Sequence, residues 1–120
     1  MERKYDLEAR LIEFAAAIIS FTDSMVSSKA GNHMANQLLR SGTSPALNYG
    51  EAQSGESRKD FIHKMKIVLK ELRESGVAIK IIEKAKLHLD REAIVSLQNE
   101  CNQLISIFVK SVGTAERNSN

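Results

Sequence analysis

Near the N-terminus the apolar residues fall at Leu7, Leu11, Phe14, Ile18, Phe21 and Met25, at intervals that alternate between four and three. That period places all six on one side of a helix, whereas a half-buried strand would alternate at every second residue. A helix carrying such a stripe must bury it against a partner. The same spacing recurs in three further segments, over Ala35 to Ala52, Phe61 to Ile82 and Ile94 to Phe108. No segment alternates as a strand would. With 120 residues there is room for one core, and four stripes are enough to enclose it.

Local signals set the expected boundaries at about 7–27, 32–54, 57–86 and 90–112, with 113–120 as a frayed tail. Asp6, Asn32, Ser57 and Asp90 are the expected N-caps, since each side-chain oxygen can accept from a free N–H of the first turn. Ser57 with Asp60 resembles a capping box. Ser27 to Gly31 reads as a loop, and Leu87 to Leu89 as the last connection. Pro45 offers no N–H to the carbonyl of Ser41, which predicts a kink in a continuous second helix. The hydroxyls of Ser41, Thr43 and Ser44 are placed to bond freed carbonyls. Gly42, Ala46 and Gly50 share one face, and Gly76 interrupts the third helix, so close approach is expected at both places. The expected fold is a single all-α domain over 1–120, an antiparallel up-down-up-down four-helix bundle.

Apolar residues also lie beside the stripes, at Ile12, Ile19, Val26, Ile62, Leu69, Ile105, Val109 and Val112. Two readings stay open: a wide core, or a second surface buried between copies of the chain. The single cysteine, Cys101, has no internal disulfide partner, which suits a reducing compartment. The first residues lack a signal-peptide pattern, and uncharged stretches such as Phe14 to Thr22 are too short to span a bilayer. A soluble cytoplasmic protein with no membrane partner is the expectation.

Catalytic and ligand motifs are sparse. His33, His63 and His88 have no ligand spacing between them. Asp60-x-x-His63 is half of the carboxylate–histidine motif of di-metal bundles, without the second copy such sites need. Cys101 falls on the fourth stripe, where a thiol acts as a small apolar residue. Gly50 to Gly55 lacks the Gly-Lys-Ser/Thr ending of a triphosphate loop, and no nucleophile elbow occurs. The reading is no enzyme, no cofactor and no metal. Asn48 and Glu51, three apart on the second helix, read as a structural polar pair that fixes register.

Charge is more informative. The net charge is only +2, yet Lys59, His63, Lys66, Lys70, Arg73, Lys80 and Lys84 line one face of the third helix, with Val77 filling the gap. At 1.5 Å per residue this stripe is about 38 Å long. Lys59, Lys66, Lys70, Arg73, Lys80 and Lys84 are the candidate phosphate contacts, able to follow a nucleic-acid backbone by counterion release. The plainer alternative is a solvated face on a scaffold or protein-interaction module, and the chain has few aromatics to stack bases.

The run from Asn36 to Glu51, followed by Ser57 to Ile62, resembles the bacterial four-helix proteins encoded in intervening sequences of large-subunit ribosomal RNA genes. Gln37, Leu38, Arg40, Ser44, Asn48, Glu51, Asp60 and Phe61 fit that family's pattern. Tyr49 stands where an aliphatic residue is common, and Ala52 where a glycine follows the glutamate. The resemblance implies a ring-like homopentamer. The chain is also similar to the accessory protein of diversity-generating retroelements, a related pentamer whose basic surface engages nucleic acid and a reverse transcriptase. Such a likeness implies RNA or DNA, and a protein of that kind, as partners, while fold alone does not carry function.

Overall fold

The computed structural model describes residues 6–54 and 57–118. They form four α-helices: α1 (Leu7–Asp23), α2 (Lys29–Gln53), α3 (Arg58–Lys84) and α4 (Arg91–Arg117). The described residues contain no strand. The caps follow local chemistry. Asp6, Ser28, Ser57 and Asp90 each accept from the N–H three residues on, at Ala9, Gly31, Asp60 and Ala93.

Three boundaries depart from expectation. α1 stops at Asp23 rather than near residue 27, and Met25 and Val26 belong to the connection. α2 starts at Lys29 because the Ser28 hydroxyl caps it, so Asn32 lies inside the helix. The segment from Gly113 is helical through Arg117 instead of frayed, since Val112 and Ala115 carry the buried stripe on by one more turn. α2 ends at Gln53 with Ser54 as its C-cap, beside the expected 54, while Gly55, the chain before Asp6 and the last two residues of the tail lie outside the described residues.

The stripes meet in one core. Leu11, Ile18, Leu38, Val68, Leu72, Ile79, Ile82, Cys101, Leu104 and Phe108 have no solvent exposure. Full burial of such an aliphatic or aromatic side chain stabilises by roughly 1.5–3 kcal/mol. Consecutive helices pack side by side and α4 returns to α1, while the backbones of the diagonal pairs, α1 with α3 and α2 with α4, stay apart and meet only through side chains such as Tyr49 and Phe108. Gly42 is where α1 and α2 come closest, because a Cβ there would lie 2.6 Å from Cγ1 of Ile18. At Gly31 a Cβ would lie 2.0 Å from the Val26 carbonyl oxygen, so the first turn of α2 fits under its own loop only without a side chain. Gly76, by contrast, faces Cys101 at ordinary van der Waals distance.

α2 runs unbroken through Pro45. Its hydroxyls do not go to the Ser41 carbonyl that the proline leaves. Thr43 donates to the Leu39 carbonyl at 2.7 Å, and Ser41 to that of Leu38 at 3.5 Å. The latter is the acceptor for a buried Ser75 hydroxyl on α3, at 2.9 Å.

At one end of the bundle the α1–α2 and α3–α4 connections are tied by the Val26 N–H donating to the Leu87 carbonyl at 2.8 Å. His88 is buried there, stacked on Phe21 with ring centroids 3.9 Å apart, and its Nδ1 accepts from the Asp90 N–H. α3 closes in a left-handed residue, Lys86 at φ 58°, with the Leu87 N–H reaching back to the Ile82 carbonyl. That is a Schellman ending built on lysine in the place usually held by glycine.

Candidate nucleic-acid interface

The core stripe of α3 contains Met65, Val68, Leu72, Ile79 and Ile82. On a 3.6-residue helix the opposite side must carry residues 59, 63, 66, 70, 73, 77, 80 and 84, and every one of them is exposed. The six candidate phosphate contacts therefore share one solvent face. Lys66 pairs with Glu116 of α4 at 2.7 Å. Lys59, Lys70, Arg73, Lys80 and Lys84 form no ion pair among the described residues.

The face is not flat. Toward α2, residues of α3 between Lys66 and Ile81 form one wall of an open groove of about 720 Å³ whose other wall is His33, Met34 and Gln37. Lys66, Lys70 and Arg73 stand along its α3 edge, above apolar Leu69, Val77, Ala78 and Ile81. Val77, which fills the gap in the basic run, is 57% exposed and belongs to this lining. Lys80 and Lys84 border a second, shallower depression with Val77, Ile81 and Ala85.

An ion-pair cluster holds the groove's two walls together. Arg40 of α2 donates to Glu71 at 3.1 Å and to Glu74 at 2.8 Å, both on α3. Glu71 is only 8% exposed and needs this cation, because an unpaired buried carboxylate is costly. The hydrogen bonds to Glu74 and then Glu71 raise the pKa of Arg40, and that from Arg40 lowers the pKa of Glu74. The Arg40 charge is thereby committed to structure.

Asn48 and Glu51 do not make the expected pair. Asn48 donates to the Ser44 carbonyl at 3.1 Å and to the Ser44 hydroxyl at 2.8 Å, one turn back, while Glu51 points outward to Lys64. Both residues serve structure, through separate partners. The histidines are far apart in role: His33 on the groove, His63 on the exposed stripe, His88 in the loop core. Among the described residues no group of His, Cys, Asp and Glu is placed to hold a metal ion. Cys101 donates to the Leu72 carbonyl at 3.2 Å, and burial, reinforced by Glu100, pushes its thiol up to about 12, far from a reactive thiolate. No helix among the described residues is long and apolar enough to cross a membrane.

The sequence could mark the basic stripe because charge periodicity is one-dimensional. His33, Gln37 and the groove floor were beyond it, since they depend on how α2 sits beside α3. The one available signal is that Val77 breaks the polar face of an otherwise amphipathic helix, with Leu69 beside the core stripe.

These features define a small four-helix all-α bundle with one cationic outer helix. The chain belongs to the 23S rRNA-intervening sequence protein family, whose model matches residues 3–110. A solved structure of a protein of unknown function from the S23 ribosomal protein family of Bacteroides thetaiotaomicron is similar to it. The two are 29% identical with a TM-score of 0.81, and the match covers 89% of this chain and 98% of that one. Among curated proteins no match is found.

Proposed function

We propose that the chain is a non-enzymatic, self-associating module that binds structured RNA or DNA without sequence preference, through the phosphate backbone. Lys59, Lys66, Lys70, Arg73, Lys80 and Lys84 supply the contacts. The observation that carries this reading is the row of exposed α3 cations, five of them in no ion pair among the described residues. Surface lysines paired within their own protein gain little from a polyanion, whereas unpaired ones release counterions from it.

In the same proposal the bundle is one antiparallel up-down-up-down unit with α2 kinked at Pro45, working in the cytoplasm as a homopentamer. Exposed Ile12 and Ile19 on α1, one heptad apart, and Val95 and Val109 on α4, two heptads apart, support association between copies, because each pair shares one helix face. A scaffold for a protein partner is the second reading, favoured by Leu47, an apolar side chain 69% exposed on α2.

The test is a titration of labelled hairpin and duplex RNA with purified protein at low and physiological salt. Affinity falling steeply with salt is expected, with a slope that counts the neutralised phosphates. Absence of binding at low salt would overturn the nucleic-acid reading and leave the scaffold.

A further inference from the structure

The groove between α2 and α3 has an ordered polarity that a uniform phosphate-binding surface does not need. One edge is cationic, formed by Lys66, Lys70 and Arg73. The floor is apolar, with Val77 and Ile81 exposed to solvent and Leu69 partly buried against the core. The far edge, on α2, carries the His33 imidazole, the Gln37 amide and Met34, together with Arg40, whose charge is taken up by Glu71 and Glu74 of α3. Crossing from α3 to α2 therefore passes from a cationic edge, through apolar surface, to hydrogen-bonding side chains and a cation already paired within the protein.

Nucleotides have the same order, with a charged phosphate, a sugar, and a flat base bearing donors and acceptors at its edge. A duplex presents its phosphates outward and keeps its bases stacked inside, so it meets the cationic edge and leaves floor and far edge unused. Unpaired nucleotides can splay their bases away from the backbone, onto apolar, imidazole or guanidinium surfaces. From this the geometry points to the α2–α3 groove as a site for unpaired nucleic acid. Phosphates lie along Lys66, Lys70 and Arg73, bases lie over Leu69, Val77 and Ile81, and base edges reach His33 and Gln37. This rests on the nucleic-acid reading above and names the strand form that the site selects.

Charge complementarity favours a polynucleotide over the other occupant the groove would suit, an acid-flanked apolar helix of a second copy. The face of α1 with Ile12 and Ile19, beside Glu8 and Glu13, is such a helix, but its apolar pair spans only about 10 Å at 1.5 Å per residue. The cationic row continues beyond the groove to Lys59 on one side and to Lys80 and Lys84 on the other. A long polyanion uses that whole length.

The experiment compares three labelled RNAs of equal length at one salt concentration: an unstructured single strand, a blunt duplex, and a strand whose bases have been removed. Each is titrated with the wild-type chain, with Val77→Asp/Ile81→Asp and with Lys70→Glu/Arg73→Glu. Both apolar positions are 45% or more exposed, so aspartate is tolerated there, and helicity by circular dichroism verifies folding. The single strand should bind at least tenfold tighter than the duplex and the abasic strand. Val77→Asp/Ile81→Asp should erase that margin while its two added negative charges shallow the salt slope for all three ligands alike, and Lys70→Glu/Arg73→Glu should weaken all three ligands and flatten the slope. Equal binding of single strand, duplex and abasic strand would overturn the site while leaving a stripe that binds phosphate. No binding of any RNA at low salt would instead remove the underlying reading. A fall in oligomer size with Val77→Asp/Ile81→Asp, the single-strand margin being intact, would give the groove to a second copy and overturn the assignment.

Discussion

α3 and α4 are the same length and are built alike on the inside, yet they face solvent in opposite ways. Each has 27 residues and a continuous buried stripe. Outward, α3 carries Lys59, Lys66, Lys70, Arg73, Lys80 and Lys84, whereas Glu100 is the one charged residue of α4 from Ala93 to Val109. That acid is bound internally, accepting from Arg10 of α1 at 2.7 Å. The rest of the α4 outer face is Val95, Asn99, Asn102, Ser106 and Val109, all exposed and all neutral. Burial dictates the inner faces, and both helices solve it in the same way. Burial leaves the outer faces free to diverge, and under the proposed function α3 suits a polyanion and α4 an uncharged protein surface. The two roles need different physics, counterion release on one side and desolvation of apolar and amide groups on the other.

The largest effect should come where the two helices are equivalent. Phe108 of α4 is fully buried and meets Tyr49 of α2 edge-on, with centroids 5.7 Å apart. Phe108→Ala should cost about 3–5 kcal/mol in chemical denaturation, and Leu72→Ala on α3 about 2–5 kcal/mol. A cost below 1 kcal/mol at either site would mean that the inner faces are not alike, and the contrast would then have to be drawn through the core as well.

Next in size is the direct break of the contrast. Lys66→Glu, Lys70→Glu and Arg73→Glu combined should lower nucleic-acid affinity by about a hundredfold at low salt, with a salt slope shallower by at least two phosphates' worth. Asn102→Glu/Ser106→Glu on α4 should leave the slope unchanged and reduce the oligomer size in light scattering. Exchange of these outcomes between the two helices would invert the assignment of faces.

These expectations also show what was legible in one dimension. The period of the apolar residues specified four helices, because burial of a stripe is a local demand that each helix states for itself. Asp6, Ser57 and Asp90 were readable as caps for the same reason, since the acceptor and the free N–H lie three residues apart. Ser28 was overlooked in favour of Asn32 because both chemistries suit a cap, and only the fit of Gly31 beneath the Val26 carbonyl decides between them. The end of α4 is expected at 112 because Gly113 and the polar residues after it hide the one further buried residue, Ala115. On the candidate site, the charged row was visible in full, and the groove was not. A groove belongs to two helices at once, and Arg40 with Glu71 and Glu74, thirty-odd positions away, carries no sequence mark of being its clamp.

A subtler comparison sits on the seam where α3 and α4 touch. The Cys101 thiol has its pKa raised from 9.0 to about 12, first by burial and then by the Glu100 charge, with Lys80 acting weakly in the other direction. A group whose folded pKa lies above its unfolded value contributes stability that is complete below the unfolded value and fades as pH rises through the folded one. Stability should therefore fall between about pH 9 and 12. Cys101→Ala should start less stable, from the lost packing and the bond to the Leu72 carbonyl, but lose less over that range. Tyr49, raised by burial and by the charges of Glu8 and Asp6, adds a slope of the same sign above pH 10. Equal pH slopes for the wild type and Cys101→Ala, followed by urea unfolding, would show that the thiol does not titrate in this way.

The smallest effect tests where the cationic row ends. Lys86 is basic and follows Lys84 closely, yet its φ of 58° puts it in the left-handed turn that closes α3, off the helical register of the stripe. An L-residue with a Cβ pays roughly 1–2 kcal/mol for that conformation, and glycine does not. Lys86→Gly should raise stability by about 1 kcal/mol and leave nucleic-acid affinity within twofold. Lys84→Gly, at the last helical position of the same basic run, should lower both. If Lys86→Gly weakened binding as much as Lys84→Gly, charge would matter irrespective of helical face. The ordered row on α3 would then count for no more than the number of lysines near that end of the molecule.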